Sequence, residues 1–212
     1  MPKRWLAALD KPRVGRTALV ELEKDSPELP AGGSWLKGFS FEHQESVWVD
    51  MAPAEKSKSF EVATELHQKL VMPQVLPLVE SGLSKAKRSY RVLPAHAKPA
   101  AKTLRRGKLK GVEMLRLVRD GVALIAGAQG FGVTLERLML HDCHVDAQGR
   151  LWLARISHGG VGQNEEKAWA ASQDWLGMCL KMSRDKTMLQ KVRAAFEQSS
   201  DLAELLVRLS VV

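Results

Sequence analysis

The stretch VTLERLMLHDCHVDAQGRLWLARISHGG, residues 133–160, decides how this chain reads. Two apolar runs, LMLHDCHVD and RLWLARIS, flank the turn Ala147-Gln148-Gly149, and that combination predicts a β-hairpin over 138–156. Just before it, Lys110 to Gly127 carries Val112, Leu115, Val118, Val122 and Ile125 on one face, the spacing of a long amphipathic helix. After it, HGGVGQNEE reads as a loop whose two glutamates suit the start of a helix. Ala168 to Met182 is apolar almost all round, as a central buried helix should be, and two short helices near Leu189–Phe196 and Leu202–Leu209 close the chain.

Upstream of the long helix the period changes from 3.6 to 2. ALVELEK (18–24) alternates as a half-buried strand does, and DSPELPAGG is a loop by its prolines and glycines. WLKGFSFEH and ESVWVDM form two antiparallel strands with a turn near Gln44. Phe60, Ala63, Leu66 and Leu70 keep helical spacing from Glu55 to Leu70, and Met72-Pro73 ends that helix, because proline offers no amide and restrains its predecessor. VLPLVES and SYRVLPA are two further strands around a lysine-rich turn. The expected class is therefore α+β: a β-rich lobe with one long helix (1–94), a connector (95–110) and a reduced helical lobe (111–212).

Bulk properties bound the function. No apolar run is long enough to cross a bilayer, and the start, MPKRWLAALDKPR, lacks the apolar core and cleavage site of an export signal. Cys143 and Cys179 sit in apolar surroundings without metal-ligand spacing, so they read as buried thiols in a cytoplasmic protein. The net charge of +8 is concentrated at Lys98, Lys102, Arg105, Arg106, Lys108 and Lys110, a patch suited to an anionic partner: nucleic acid, an anionic membrane or an acidic protein. No aromatic residue interleaves it, which disfavours base stacking, and a solvated connector in a basic protein accounts for it more simply.

Two short constellations read better as structure than as chemistry. His141 to Asp146 (HDCHVD) has metal-ligating side chains, but on a strand Asp142, His144 and Asp146 face one way while His141 and Cys143 face the other. No metal site is assigned there. Ser157-His158 lacks a third group to orient a nucleophile and base. Trp48, Trp152 and Trp175 lie in periodic apolar runs and belong to the core, with Trp35 open between core and surface.

The order of elements, and the residues themselves, resemble a protein kinase domain of the bacterial Ser/Thr type over about residues 16 to 210. FEVATELHQKLVMPQVLPLVESG is similar to the kinase stretch from the regulatory helix into the fourth strand, and SYRVLPA to the fifth strand entering the hinge. MLRLVRDGVALIAGAQGFGV resembles the long helix before the catalytic loop, and HVDAQGRLWLARIS the hairpin that ends in D-F-G. WLGMCLKM looks like the buried helix of the C-lobe. The segment from Ser157 to Lys167 is too short for an ordinary activation segment.

That resemblance implies a charge for each position, because kinase catalysis is positioning plus electrostatics. The third-strand lysine of V-A-I-K falls on Asp50, in Val47-Trp48-Val49-Asp50. The glutamate that should pair it falls on Ala63, with Glu65 two positions on. H-R-D-L-K-P-E-N falls on Leu135 to Asp142, so the base is Arg137, which accepts no proton, and the asparagine is Asp142. The metal-binding aspartate of D-F-G falls on Arg155, followed by Ile156 and Ser157. No G-x-G-x-x-G is present; Gly32-Gly33 and Gly38 have the wrong spacing. The resemblance thus implies a degenerate member, a pseudokinase that is not an enzyme, needs no cofactor and acts by binding another protein. A divergent small-molecule or lipopolysaccharide-type phosphotransferase is the alternative, since Asp142 and Asp146 keep acids near the cleft. Arg155 is expected to be buried, its charge met by Asp50 or Asp142.

Overall fold

Alternating apolar residues build the first of two units. The computed structural model describes residues 13–22, 34–52, 57–85, 87–104 and 107–212. The described residues of 1–68 and 76–96 form one unit, and those of 69–75 and 97–212 form the other. In the first, strands β1 (Arg13–Val14), β2 (Thr17–Leu22), β3 (Ser34–Ser40), β4 (Glu45–Met51), β5 (Glu80–Leu83) and β6 (Ser89–Pro94) make an antiparallel sheet in the order β1-β2-β3-β4-β6-β5. Helix α1 (Ser57–Lys69) lies between β4 and β5 in sequence. Residues two apart on β3, β4 and β6 share a face, and Leu36, Val47, Val49, Tyr90 and Val92 bury one face with Val14. The β3–β4 turn places Gln44 at φ 54°, and Trp35 and Trp48 are both buried.

The second unit is organised by α3 (Gly111–Gly130) and α4 (Glu165–Cys179). Met114, Leu117, Val118, Val122 and Ile125 bury one stripe of α3, so the expected face is corrected at its start, where Val112 is exposed and Leu115 half-buried; Trp175 of α4 packs against the stripe, fully buried. Gly121 permits that approach: a Cβ there would lie 2.0 Å from the Trp175 indole nitrogen, which donates to the Leu117 carbonyl at 3.1 Å. Helices α5 (Lys186–Glu197) and α6 (Leu202–Val211) complete the helical layer, capped by Asp185 and Asp201. Before α3 lie β7 (Lys98–Pro99) and the one-turn α2 (Ala100–Thr103). After α3 come β8 (Val133–Arg137), a 3₁₀ turn (Leu140–Asp142), β9 (Cys143–Val145), β10 (Leu151–Leu153) and β11 (His158–Val161). β9 pairs with β10 and β7, and β8 pairs with β11.

Several sequence expectations are corrected. HGGVGQNEE is not all loop, because His158–Val161 pairs antiparallel with β8 across a bulge at His158/Gly159. Glycine is depleted in strands, yet Gly159 is suited here: a Cβ would meet Ile156 Cγ2 at 2.8 Å and the Thr134 carbonyl at 3.0 Å. The strand expected over VLPLVES begins only at Glu80, and Val75 instead bridges to Leu153 in the second unit, where the Leu153 amide donates to Gln74. Residues 69–75 group with the second unit, as do the described residues from Ala97 on. The expected strand alternation through His141–Asp146 holds only from Cys143, since Leu140–Asp142 is a 3₁₀ turn. The chain start, DSPELPAGG and Gly32-Gly33 lie outside the described residues.

Glycine's role in the helix crossing is testable by urea denaturation. Gly121→Val should cost about 2–3 kcal/mol by overpacking against Trp175. Gly177→Ala, on α4 with open space around its Cβ position, should stabilise by about 0.5–1 kcal/mol.

Candidate functional site

Each unit holds a buried acid bonded to a buried arginine; the sequence analysis singled out Asp50, Asp142 and Arg155, but not Arg91. In the first unit Asp50 (β4) and Arg91 (β6) face each other in register. Arg91 donates from Nε and Nη2 to Asp50 Oδ2, at 2.9 and 2.8 Å, and both side chains are fully buried. Phe60 of α1 covers the guanidinium, with its ring centroid 4.8 Å from the Arg91 Cζ. The Ala63 side chain is half-buried on α1 and carries no charge, and Glu65 is exposed. Glu61 instead accepts from the Ser89 hydroxyl at 2.9 Å. The sheet is thus joined to its helix through an aromatic face on a cation, rather than through a lysine–glutamate pair.

His67, buried on α1, donates from Nε2 to the Leu76 carbonyl at 2.7 Å. Burial, and secondarily the Arg91 charge, lower its pKa to about 4. Sequence reasoning passed over this residue, since a histidine within a helical stripe carries no signal of the cation that the sheet places near it.

In the second unit Asp142 gathers the donors. Its carbonyl accepts from the amides of Ala154 and Arg155, at 2.8 and 3.0 Å. Its Oδ1 accepts from Arg155 Nε at 3.3 Å and from the Ser157 hydroxyl. Arg155 and Asp142 are both buried, and His141 Nε2 lies 3.6 Å from the same oxygen. Burial lowers the His141 pKa, against the pull of Asp142. The hairpin is held by Asp146, which accepts from Trp152 Nε1, Arg150 Nε and the amides of Gln148 and Arg150. Burial opposes ionisation of Asp146, but these bonds outweigh it and hold the carboxyl at about 2. Ser157 is the member of this cluster that sequence reasoning set aside; its spacing two residues after Arg155 was the available clue.

Arg137 stands apart from this cluster at the end of β8, exposed, with Nε 3.8 Å from Asp174 Oδ2. Lys98, Lys108 and Lys110 of the basic patch are exposed and Lys102 half-buried, while Arg105 and Arg106 lie outside the described residues. Lys110 caps α3, its amide donating to Glu113 at 2.8 Å. Cys143 and Cys179 are buried, and burial pushes both thiols well above their ordinary pKa.

The donor set around Asp142 does not suit magnesium. Magnesium takes hard oxygen ligands, and the neighbouring position supplies a guanidinium that already bonds the carboxylate. Among the described residues no group of three His, Cys, Asp or Glu side chains is arranged to hold a metal ion.

Neither pair should tolerate single truncation. Arg91→Ala and Arg155→Ala should each cost about 3 kcal/mol or more, the penalty of an uncompensated buried carboxylate, and Asp50→Leu/Arg91→Met should recover most of the loss. Denaturant titration of the parent and these three variants measures this. A second expectation concerns pH. His67 titrates near 6.5 when unfolded and about 4 when folded, so the unfolded chain binds the extra proton as pH falls. Stability should therefore drop between pH 6.5 and 4, by up to about 3 kcal/mol from this residue, and His67→Gln should flatten that part of the profile.

Among solved structures, the chain is similar to the kinase domain of Mycobacterium tuberculosis PknI, crystallised in a mutant form. The TM-score is 0.65 at 10% identity, covering 93% of this chain and 95% of that one. The fold is protein kinase-like, with a β-rich N-terminal part and a helical C-terminal part. No protein-family model matches the sequence, and no curated protein sequence does.

Proposed function

We propose that this chain is a pseudokinase: a kinase-like fold without phosphoryl transfer, acting in the cytoplasm as a scaffold or regulatory subunit for another protein. The observation that carries this reading is the Arg155–Asp142 pair. Kinase chemistry places metal-binding groups at both positions, so that magnesium bridges the phosphates and neutralises developing charge. Here a fixed cation takes the place of one metal ligand and is bonded to the other.

Three further positions support the same reading. Asp50 carries the charge opposite to a phosphate-binding lysine and is bonded to Arg91. Ala63 offers no carboxylate. Arg137, always protonated, is no general base. A fold that has given up nucleotide chemistry retains its surfaces, and those are what a scaffold uses. Among the described residues no helix is long and apolar enough to cross a membrane.

Isothermal titration with ATP and magnesium tests the catalytic half of the proposal. No heat of binding up to millimolar nucleotide is expected, together with no transfer of labelled phosphate to the chain or to generic protein substrates. Micromolar binding, or any transfer, would overturn it in favour of a divergent phosphotransferase.

A further inference from the structure

A trough of about 600 Å³ opens among the end of α3 and the starts of α4 and α6. Ala126, Trp169 and Leu206 supply apolar surface, and Glu165, Glu166 and Asp201 are among the residues around it. It shares no lining residue with the Asp142–Arg155 cluster. None of its lining side chains is buried, so it is a surface trough. A small ligand would leave much of itself in water there, whereas a peptide helix lays one face into such a groove.

Its walls are set in place before anything binds. The Gln129 side chain grips the backbone of Asn164 from both sides, donating to its carbonyl at 3.2 Å and accepting from its amide at 3.0 Å. That fixes the start of α4 against the end of α3. Trp169 is braced by Phe196, with ring centroids 6.2 Å apart. Asp201 caps α6 by accepting from the Glu204 amide at 2.8 Å.

The charge at the trough runs against that of the chain. Acidic residues in a first helical turn are commonly there for the dipole. Helix α4, however, already has its cap, the Asn164 side chain accepting from the Lys167 amide at 2.9 Å. Among the described residues, neither the Glu165 nor the Glu166 side chain has a hydrogen bond or ion pair, and the ammonium of neighbouring Lys167 is taken by Glu136 at 2.6 Å. Every charged side chain among the lining residues is acidic, so a protein of net charge +8 presents here carboxylates alone beside apolar surface.

We propose that this trough docks a cationic, amphipathic peptide segment of a partner protein: an apolar anchor seated against Trp169 and Leu206, flanked by lysine or arginine facing Glu165, Glu166 and Asp201. The proposal supplies the scaffold reading with a binding site and rests on it only for biological purpose.

The test is selection of a displayed random peptide library on the full chain. Titration of the enriched peptides follows, against the parent, Glu165→Lys/Glu166→Lys and Ala203→Arg. Ala203 is an exposed residue of the trough, so arginine there obstructs it without disturbing the core, and circular dichroism confirms that both variants fold. Enriched peptides should carry net positive charge around an aromatic or leucine anchor, bind with micromolar affinity and weaken tenfold or more on both variants. Acidic winners, winners indifferent to both variants, or no enrichment would each overturn the proposal. Its failure is distinct from that of the pseudokinase reading: the peptide result does not depend on nucleotide, and nucleotide binding does not depend on the trough.

Discussion

The buried carboxylate of Asp142 sets the geometry of the strands that follow the long helix. Asp142 ends the 3₁₀ turn before β9, and its carbonyl accepts from the two residues that follow β10. The same residue's side chain accepts from Arg155 and Ser157. Main chain and side chain together thus hold Ala154 to Ser157 against the turn, and β11 starts from that anchored position. Burial makes the arrangement obligatory. A buried carboxylate needs a cation or a donor close by, and Asp142 Oδ1 has the Arg155 guanidinium and the Ser157 hydroxyl.

The first unit meets the same constraint by other means. Asp50 and Arg91 come from strands paired edge to edge, so the two-point contact follows from register once the sheet forms. Phe60 covers the guanidinium, which links the charge pair to α1 through the ring face. Such pairs are seldom more stable than apolar residues of equal volume, but they penalise any register that separates them. A one-residue slip of β4 against β6 would move Asp50 to the opposite face from its partner. Specificity of pairing is what the buried charges contribute.

In the pseudokinase we propose, these pairs would put permanent counter-charges where a kinase needs exchangeable ones. Magnesium and nucleotide arrive and depart with each turnover, and the groups that hold them must be open to solvent and ligand in between. A guanidinium hydrogen-bonded to a carboxylate is already neutralised, so no such exchange is called for. A binding role asks for different features: exposed surfaces with walls held in place by the fold. The trough between α3, α4 and α6, with the start of α4 clamped by Gln129, has that character.

The sequence by itself determined the elements with a strong period and the sign of each charge. The helical period of α3 and the strand–turn–strand of β3 and β4 follow from local residue patterns, so they are visible in a short window. The signs of the charges at Asp50, Arg137 and Arg155 are a property of residue identity, independent of packing. What only the tertiary structure decided was partnership. Arg91 lies 41 residues from Asp50, and nothing short of the β4–β6 register selects it. The strand at His158–Val161 was hidden by its glycines, which the sequence presents as loop formers. Its pairing with β8 leaves no room for a Cβ at Gly159, so the glycine that reads as a loop former is what the strand requires. The trough was equally illegible, since its lining comes from three helix ends far apart in the chain. Periodicity is local and survives in the sequence, whereas register and close approach arise only when distant segments meet.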